Sequence, residues 1–377
     1  MVYFKYTLIS IAAAVLLSAC QKPHLLRDWQ SSADISVIEQ NDYMRRNFLP
    51  VQIDTPLVLV KTASLDGTPV NYICYAGGQF LLAAQNGLIY SVSAADIDDN
   101  ADIQTADGIS APPAFMNNKF YIAAEKGKSA LIIYDFDSRK AQPVEGFAYS
   151  IASPVVWQEK IIFASLDGSL ICLNSNTLEQ EWKSELDGKI ISSPAFDGRQ
   201  LYVITQNGIL RSYSLDEGEV VWSRNLNENF KISPLITDDA LYIAGFSGSL
   251  YKIDKNKGDI LQKIDLGKPV HTALSTDGEK ILAVTPDAVL RLYDSSLKNL
   301  FWQQKLDAPV VVPAVITNNM VIAGTAQKSF FLFDLENGSI LQELKLKGRQ
   351  ASMPIIHKDR LVMGMEYEKL IEFQVKK

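Results

Sequence analysis

A unit of about 40 residues recurs along most of this 377-residue chain and constrains its fold more than any other feature. Its clearest marker is a proline followed by apolar or small residues. This marker stands at Pro113, Pro154, Pro194, Pro234, Pro313 and Pro354. The spacing between Pro234 and Pro313 is about twice the usual period, and a degenerate copy at Ala273 lies between them. A further copy at Ile73 precedes the first proline, which makes eight units. Such a period is typical of a solenoid or a propeller.

One repeat, residues 190–226, indicates what each unit folds into. It contains four runs rich in β-branched and aromatic residues, and the turn Asn207-Gly208 suits a tight hairpin. The runs are Ile190–Phe196, Leu201–Gln206, Ile209–Leu215 and Glu219–Leu226. The repeats lack a strong apolar stripe at helical spacing. Eight units of four antiparallel strands predict an all-β fold, an eight-bladed β-propeller.

The two chain ends predict how the ring closes. The eighth unit offers only three strands before the chain stops at Lys377. Residues 56–66 match the fourth-strand pattern found three repeats later around Trp182. We therefore expect this N-terminal segment to be the outer strand of the last blade, which removes an open seam. The predicted propeller spans residues 53–377.

The N-terminus has the features of an export signal. An apolar run from Leu8 to Leu17 is too short to span a membrane and ends in Leu17-Ser18-Ala19-Cys20. This resembles a bacterial lipobox, which predicts a signal peptide at residues 1–19 and lipidation of Cys20. An ordinary signal peptide with an incidental cysteine is the alternative. Residues 20–52 then form a lipidated tether, and by resemblance Gln21 after the cysteine favours the outer membrane.

The chemistry-bearing residues do not form a catalytic pattern. The three histidines, His24, His271 and His357, have no metal-ligand spacing. Cys74 and Cys172 lie in apolar strands of different, non-adjacent repeats, so we expect buried thiols and not a disulfide. Aspartates recur in phase at the ends of third strands, where we expect turn capping; they are Asp135, Asp254, Asp294 and Asp334. With a net charge of −7 and no basic stripe, the chain has no nucleic-acid signature.

Tryptophans follow the same 40-residue ladder, and their role has two interpretations. They stand at Trp182, Trp222 and Trp302, with Gln262 and Gln342 in the intermediate positions. As structural residues, they pack between neighbouring blades and fix their spacing. As functional residues, they resemble the docking unit of pyrroloquinoline quinone (PQQ) dehydrogenases, which use a quinone and calcium and typically pair adjacent cysteines. Adjacent cysteines and insertions for a site are lacking here, so we expect no cofactor and no metal.

The lipobox, the short tether, the front strand and the eight bare blades together resemble the BamB family, lipoprotein subunits of the outer-membrane β-barrel assembly machinery. The resemblance covers the chain from about residue 54 to its end. It implies a non-enzymatic scaffold at the outer membrane, lipid-anchored and facing the periplasm. It also implies binding to the periplasmic POTRA domains of the insertase BamA and help in delivering precursor barrels. A periplasmic propeller that binds a small ligand or quinone cofactor is the alternative.

One departure from the family concerns the partner contact. The family carries an apolar-x-apolar-arginine patch between the third and fourth blades, whereas this linker, residues 184–190, has no arginine. Leu186, Lys189 and Ile190 are the nearest candidates for partner binding. Leu186 and Ile190 could equally be core residues at the ends of strands.

Overall fold

The computed structural model describes residues 43–376, and every regular element in that range is a β-strand. Two strands precede the repeats: β1 (Phe48–Leu49) and β2 (Asp54–Ser64). Blades one and two contain β3 (Pro69–Ala76), β4 (Gln79–Ala84), β5 (Leu88–Ser93), β6 (Asn100–Gln104), β7 (Ala114–Met116), β8 (Lys119–Ala123), β9 (Leu131–Asp135) and β10 (Lys140–Val144). Blades three and four contain β11 (Val155–Trp157), β12 (Lys160–Ala164), β13 (Ser169–Asn174), β14 (Gln180–Glu185), β15 (Ala195–Phe196), β16 (Gln200–Ile204), β17 (Ile209–Ser214) and β18 (Val220–Asn225).

The second half of the ring repeats the same arrangement. Blades five and six contain β19 (Leu235–Ile236), β20 (Ala240–Ala244), β21 (Ser249–Asp254), β22 (Ile260–Asp265), β23 (Ser275–Thr276), β24 (Lys280–Thr285), β25 (Val289–Asp294) and β26 (Leu300–Lys305). Blades seven and eight contain β27 (Val315–Thr317), β28 (Met320–Gly324), β29 (Ser329–Asp334), β30 (Ile340–Lys345), β31 (Ile355–His357), β32 (Arg360–Met365) and β33 (Lys369–Lys376). Consecutive strands within each blade pair antiparallel, so the predicted eight-bladed propeller is confirmed.

The closing strand also lies where the sequence predicts it. β2 is the outer strand of blade eight and pairs antiparallel with β33, from Val58 opposite Gln374 to Ser64 opposite Lys369. Its bounds, Asp54–Ser64, differ from the predicted 56–66 by two residues at each end. Because the first and last parts of the chain share one sheet, the ring has no open seam.

The apolar core lies mainly between neighbouring blades. Leu290 and Leu292 of blade six, for example, belong to one buried cluster with Val321 and Phe333 of blade seven. Almost every position of the middle strands is buried, as in β4 and β5, although successive side chains point to opposite faces of a strand. Each blade therefore buries both of its faces against the blades beside it.

A segment before the repeats crosses the end of the channel, and we call residues 43–53 the strap. Its backbone follows the ring blade by blade. The carbonyl groups of Tyr43, Met44, Arg46 and Asn47 and the Tyr43 hydroxyl each accept a hydrogen bond from an innermost strand, at 2.8–3.3 Å. The donors are the backbone N–H groups of Val156, Phe196, Ile236, Thr276 and Ile316, in blades three to seven. Residues 43–52, which the sequence placed in the tether, are thus held against the ring.

Asn47 anchors the strap. Its side chain is only 6% exposed. The Asn47 amide donates to the carbonyl of Leu274 at 2.6 Å, and its oxygen accepts from the Tyr72 hydroxyl at 2.7 Å. Directly after it, β1 pairs in parallel with β27, the innermost strand of blade seven. A buried amide whose donor and acceptor are both bonded holds the strap in one register.

Candidate partner-binding face

The loops that join consecutive blades lie at the start of each innermost strand, together with the turns between second and third strands. We call this side of the ring the loop face. The strap contacts the opposite ends of the innermost strands, at Phe196 and Ile236 for example. The loop face is therefore the side of the ring away from the strap. Loops on a rigid scaffold can carry binding residues without serving the core.

The structure separates the three candidates that the sequence singled out on this face. Leu186 is 5% exposed and Ile190 is 0% exposed, and both pack in the cluster that contains Trp182. Lys189 is exposed, and its carbonyl accepts a hydrogen bond from Gln206 N at 2.8 Å. Leu186 and Ile190 are therefore core residues at strand ends, the alternative that the sequence left open, and of the three candidates only Lys189 is exposed.

A cluster on the same face was missed by the sequence reasoning. Phe246 is half-buried, with the Lys231 ammonium 4.9 Å from the centre of its ring and the His271 ring 5.0 Å away. Lys231 and His271 are exposed. We call these three residues the Phe246 cluster. Its only sequence signal is an aromatic residue in a turn position where other repeats have smaller residues, such as Gln206 or Ala326.

Glu228 fixes the loop that carries this cluster. Its carboxylate accepts hydrogen bonds from the backbone N–H of Ser247, at 3.1 Å, and from the Ser247 and Tyr251 hydroxyl groups. The backbone N–H of Phe246 donates to the carbonyl of Asn229 at 2.9 Å. These hydrogen bonds hold the loop, and with it the Phe246 ring, in one arrangement.

Each in-phase tryptophan contacts the following blade. The indole N–H groups of Trp182, Trp222 and Trp302 donate to the carbonyls of Leu215, Lys255 and Leu335, at 3.0, 2.9 and 2.9 Å. A Cβ atom added to Gly218, Gly258 or Gly338 would lie 2.4–2.6 Å from the facing indole ring. Gln342 fills the same position between blades seven and eight and exchanges two hydrogen bonds with the backbone of Leu57. These side chains fix the spacing between blades.

The outer strands expose apolar pairs on part of the rim. In blades four to seven, a β-bulge near the start of the outer strand places two successive side chains in solvent. The exposed residues are Val220, Val221, Ile260, Leu261, Leu300, Phe301, Ile340 and Leu341, and β2 adds Val58, Leu59 and Val60. Lysine or arginine on the same strands, Arg224 and Lys263 for example, protects the strand edges.

The side chains of Cys74, Cys172 and His357 are packed into the fold. Cys74 and Cys172 are buried free thiols, as the sequence predicted, and burial raises the pKa of Cys172 to about 12 and that of Cys74 still further. His357 stacks on Tyr75 with ring centres 4.0 Å apart, and partial burial lowers its pKa. Within residues 43–376 no group of three or more His, Cys, Asp or Glu side chains has metal-binding geometry. The same range holds no helix of the length and apolarity needed to cross a membrane.

The recurring aspartates cap turns, which confirms that prediction. Asp254 accepts hydrogen bonds from the N–H groups of Asn256 and Lys257, at 2.8 and 2.9 Å. Asp334 accepts from Glu336 and Asn337 in the same manner, both at 3.0 Å. These carboxylates therefore stabilise the turns of the hairpins.

Comparison with known sequences identifies the family to which this chain is similar. A family model described as "Outer membrane protein assembly factor BamB" matches residues 146–269, 207–299 and 247–377. Relatives with the same name include one from Yersinia pestis, 20% identical over 95% of this chain and 96% of its own length. Another, from Moranella endobia, is 18% identical over 70% of this chain and 71% of its own.

Comparison with solved structures agrees on the fold. BamB from Moraxella catarrhalis has a TM-score of 0.70 and 18% identity, covering 85% of this chain and 100% of that one. A quinohemoprotein alcohol dehydrogenase from Comamonas testosteroni has a TM-score of 0.73 and 13% identity, covering 91% of this chain and 81% of that one. At these identities the likeness concerns the propeller alone.

Proposed function

Because the chain belongs to the family of outer membrane protein assembly factor BamB, we propose that it is a non-enzymatic scaffold of the outer-membrane β-barrel assembly machinery. In this role it binds the POTRA domains of BamA and assists delivery of precursor barrels. The observation that carries the proposal is the family match over residues 146–377, on a ring whose recurring polar residues serve turns. The relative from Yersinia pestis, which aligns with 95% of the chain, carries the name of an assembly factor.

The proposal places the protein at the periplasmic side of the outer membrane, anchored by a lipid on Cys20. The lipobox supports this location, although Cys20 lies outside the described residues. Replacing Cys20→Ala should leave the precursor without lipid and without lipoprotein-type cleavage. Mass spectrometry of the purified protein reports both. An unmodified N-terminus beyond residue 20 in the natural protein would contradict the anchor.

We place the contact with BamA on the loop face, at Lys189 and the Phe246 cluster. A large aromatic residue flanked by a lysine and a histidine, on a loop held by Glu228, has the composition of an interface hot spot. The buried Leu186 and Ile190 support this face from beneath. The complementary partner surface is an apolar patch with acidic neighbours, since Lys189 and Lys231 are both exposed.

Affinity capture from detergent-solubilised envelopes tests this contact. Lys189→Glu combined with Phe246→Ala should lose most of the captured BamA while the melting temperature stays within a few degrees, because both side chains lie outside the interblade core. Phe301→Ser is the matched control, because it removes an equally large ring, 51% exposed, from the rim. Capture that survives in the double variant would place the interface elsewhere.

The quinone-binding alternative rests on the fold likeness to the quinohemoprotein. Adding PQQ and calcium to the purified protein should leave its melting curve unchanged if the scaffold proposal holds. A ligand-dependent rise of several degrees would favour the alternative.

A further inference from the structure

A small cavity opens between blades seven and eight, at the outer edge of the loop face. Its volume is about 260 Å³, and its apolar lining comes from Leu59 of β2, Leu346 of the joining loop, and Met365 and Ile371 of blade eight. Tyr367, 67% exposed, stands at its rim. A cavity of this volume can hold one large apolar side chain and the atoms next to it. It therefore fits the end of a polypeptide better than a long segment.

Cations surround this apolar cavity. Lys345, Lys347 and Lys369 all line it. Lys345 forms ion pairs with Asp307 and Glu343, at 3.2 and 3.0 Å. Lys369 donates to the Ser64 hydroxyl, at 2.7 Å, and Lys347 is exposed. The one acidic group of the lining, Glu366, is already paired with Arg349 at 2.6 Å. The cavity therefore offers an excess of positive charge beside an apolar interior.

The turn at the rim carries large side chains in a conformation that favours glycine. In blades one, three, four and five the second-to-third-strand turn ends in glycine, as in Asn207-Gly208. Blades six and seven have Ala288 and Lys328 at this position, and blade eight has Tyr367-Glu368 with φ of 61° and 60°. Side chains larger than asparagine are uncommon in the left-handed region, and here two of them follow each other. The exposed aromatic ring is thus kept at the cavity despite a conformation that glycine or asparagine would adopt more easily.

The surface beside the cavity points to a polypeptide. Val58, Leu59 and Val60, each 48–50% exposed, extend the apolar surface along β2, the outermost strand of its sheet. We propose that this cavity binds the C-terminal end of an extended polypeptide, with an apolar last side chain between Leu59, Met365 and Tyr367 and its carboxylate at Lys347 and Lys369. Charge complementarity selects the carboxylate, and the Val58–Val60 surface accommodates the preceding residues. This site does not depend on the proposed contact with BamA, because it lies on a different part of the ring.

Fluorescence anisotropy with a labelled hexapeptide ending in phenylalanine tests the proposal on the full lipid-free chain. We expect binding that weakens at least tenfold when the terminal carboxylate is converted to an amide, and again when the last residue is alanine. Lys347→Glu should weaken binding at least tenfold. The matched control is Lys268→Glu, the same charge change in the corresponding loop two blades earlier, which should bind normally.

A second variant separates binding from folding. Tyr367→Asn should keep or raise the urea midpoint, because asparagine tolerates the left-handed conformation, and should weaken peptide binding several-fold. Equal affinity for the acid and the amide, or equal effects of Lys347→Glu and Lys268→Glu, would overturn the proposal. Binding of octanoate without binding of the peptide would also overturn it, since the site would then take a fatty acid.

Discussion

The contact between Trp222 and Gly258 offers a quantitative test of how neighbouring blades are held together. The indole of Trp222 is 9% exposed, donates to the Lys255 carbonyl at 2.9 Å, and lies where a Cβ atom on Gly258 would approach to 2.5 Å. Truncation of a buried aromatic costs about 3–5 kcal/mol. We therefore expect Trp222→Ala to lower the free energy of unfolding by about 3–5 kcal/mol.

The glycine side of the contact has two separable costs. Gly258 has φ of +73°, so Gly258→Ala places a Cβ in the left-handed region, at a cost of about 1–2 kcal/mol. The clash with the indole adds the cost of overpacking, about 1–3 kcal/mol. Gly198→Ala isolates the first cost, because Gly198 has φ of +90° and nothing within 4 Å of an added Cβ.

The double variant Trp222→Ala with Gly258→Ala completes a cycle. Without the indole the clash disappears, and the alanine at 258 should cost only as much as Gly198→Ala. The coupling energy is then about 1–3 kcal/mol, in the direction that makes the double variant less destabilised than the sum. Urea unfolding followed by far-ultraviolet circular dichroism measures all four proteins without relying on tryptophan fluorescence. Additive effects would refute the proposed packing of the indole on the glycine.

Three further predictions follow from burial and from the strap. Leu186→Asp should unfold the protein or lower its melting temperature by more than 10 °C, because it buries a charge in the core, whereas Lys189→Glu should shift it by less than about 2 °C. Deleting residues 21–49 should lower the urea midpoint of unfolding relative to deleting residues 21–42, because only the longer deletion removes the strap contacts of Tyr43 to Asn47. Equal urea midpoints would mean that these hydrogen bonds do not stabilise the ring. Since burial keeps the pKa of Cys172 at about 12 and raises that of Cys74 as well, both thiols stay protonated at pH 8 and should react with a thiol reagent only on unfolding; rapid reaction of the native protein would contradict their burial.

The fold could be predicted from the sequence because eight repeats state the same pattern independently. Turn glycines, alternating strands and the Trp182 ladder each fix the same register, and the match between residues 56–66 and a fourth strand gives the closure. One degenerate repeat, such as the one around Ala273, does not change the prediction from the other seven. Within the blades the differences lie at strand ends: the predicted first run at Ile190–Phe196 contains only two residues of strand, Ala195–Phe196.

The candidate site was harder to predict because surface and core look alike at strand ends. Leu186 and Ile190 have the composition of a docking patch, and only the positions of the neighbouring strands reveal that they pack around Trp182. The Phe246 cluster joins residues 231, 246 and 271, which no sequence motif connects. Contacts between loops of different blades depend on the twist and spacing of the ring, and a repeat pattern does not encode these for individual side chains.

The backbone contacts of the strap could not be predicted from the sequence either. Residues 43–47 carry no repeat marker, yet their carbonyls match N–H groups spaced 40 residues apart, because the ring brings one donor from each blade to the channel end. A segment that binds blades three to seven in order must enter the ring at the end opposite the loop face. The strap and the loop face, which carries Lys189 and the Phe246 cluster, therefore lie at opposite ends of the ring, so a partner bound at the loop face would not compete with the strap.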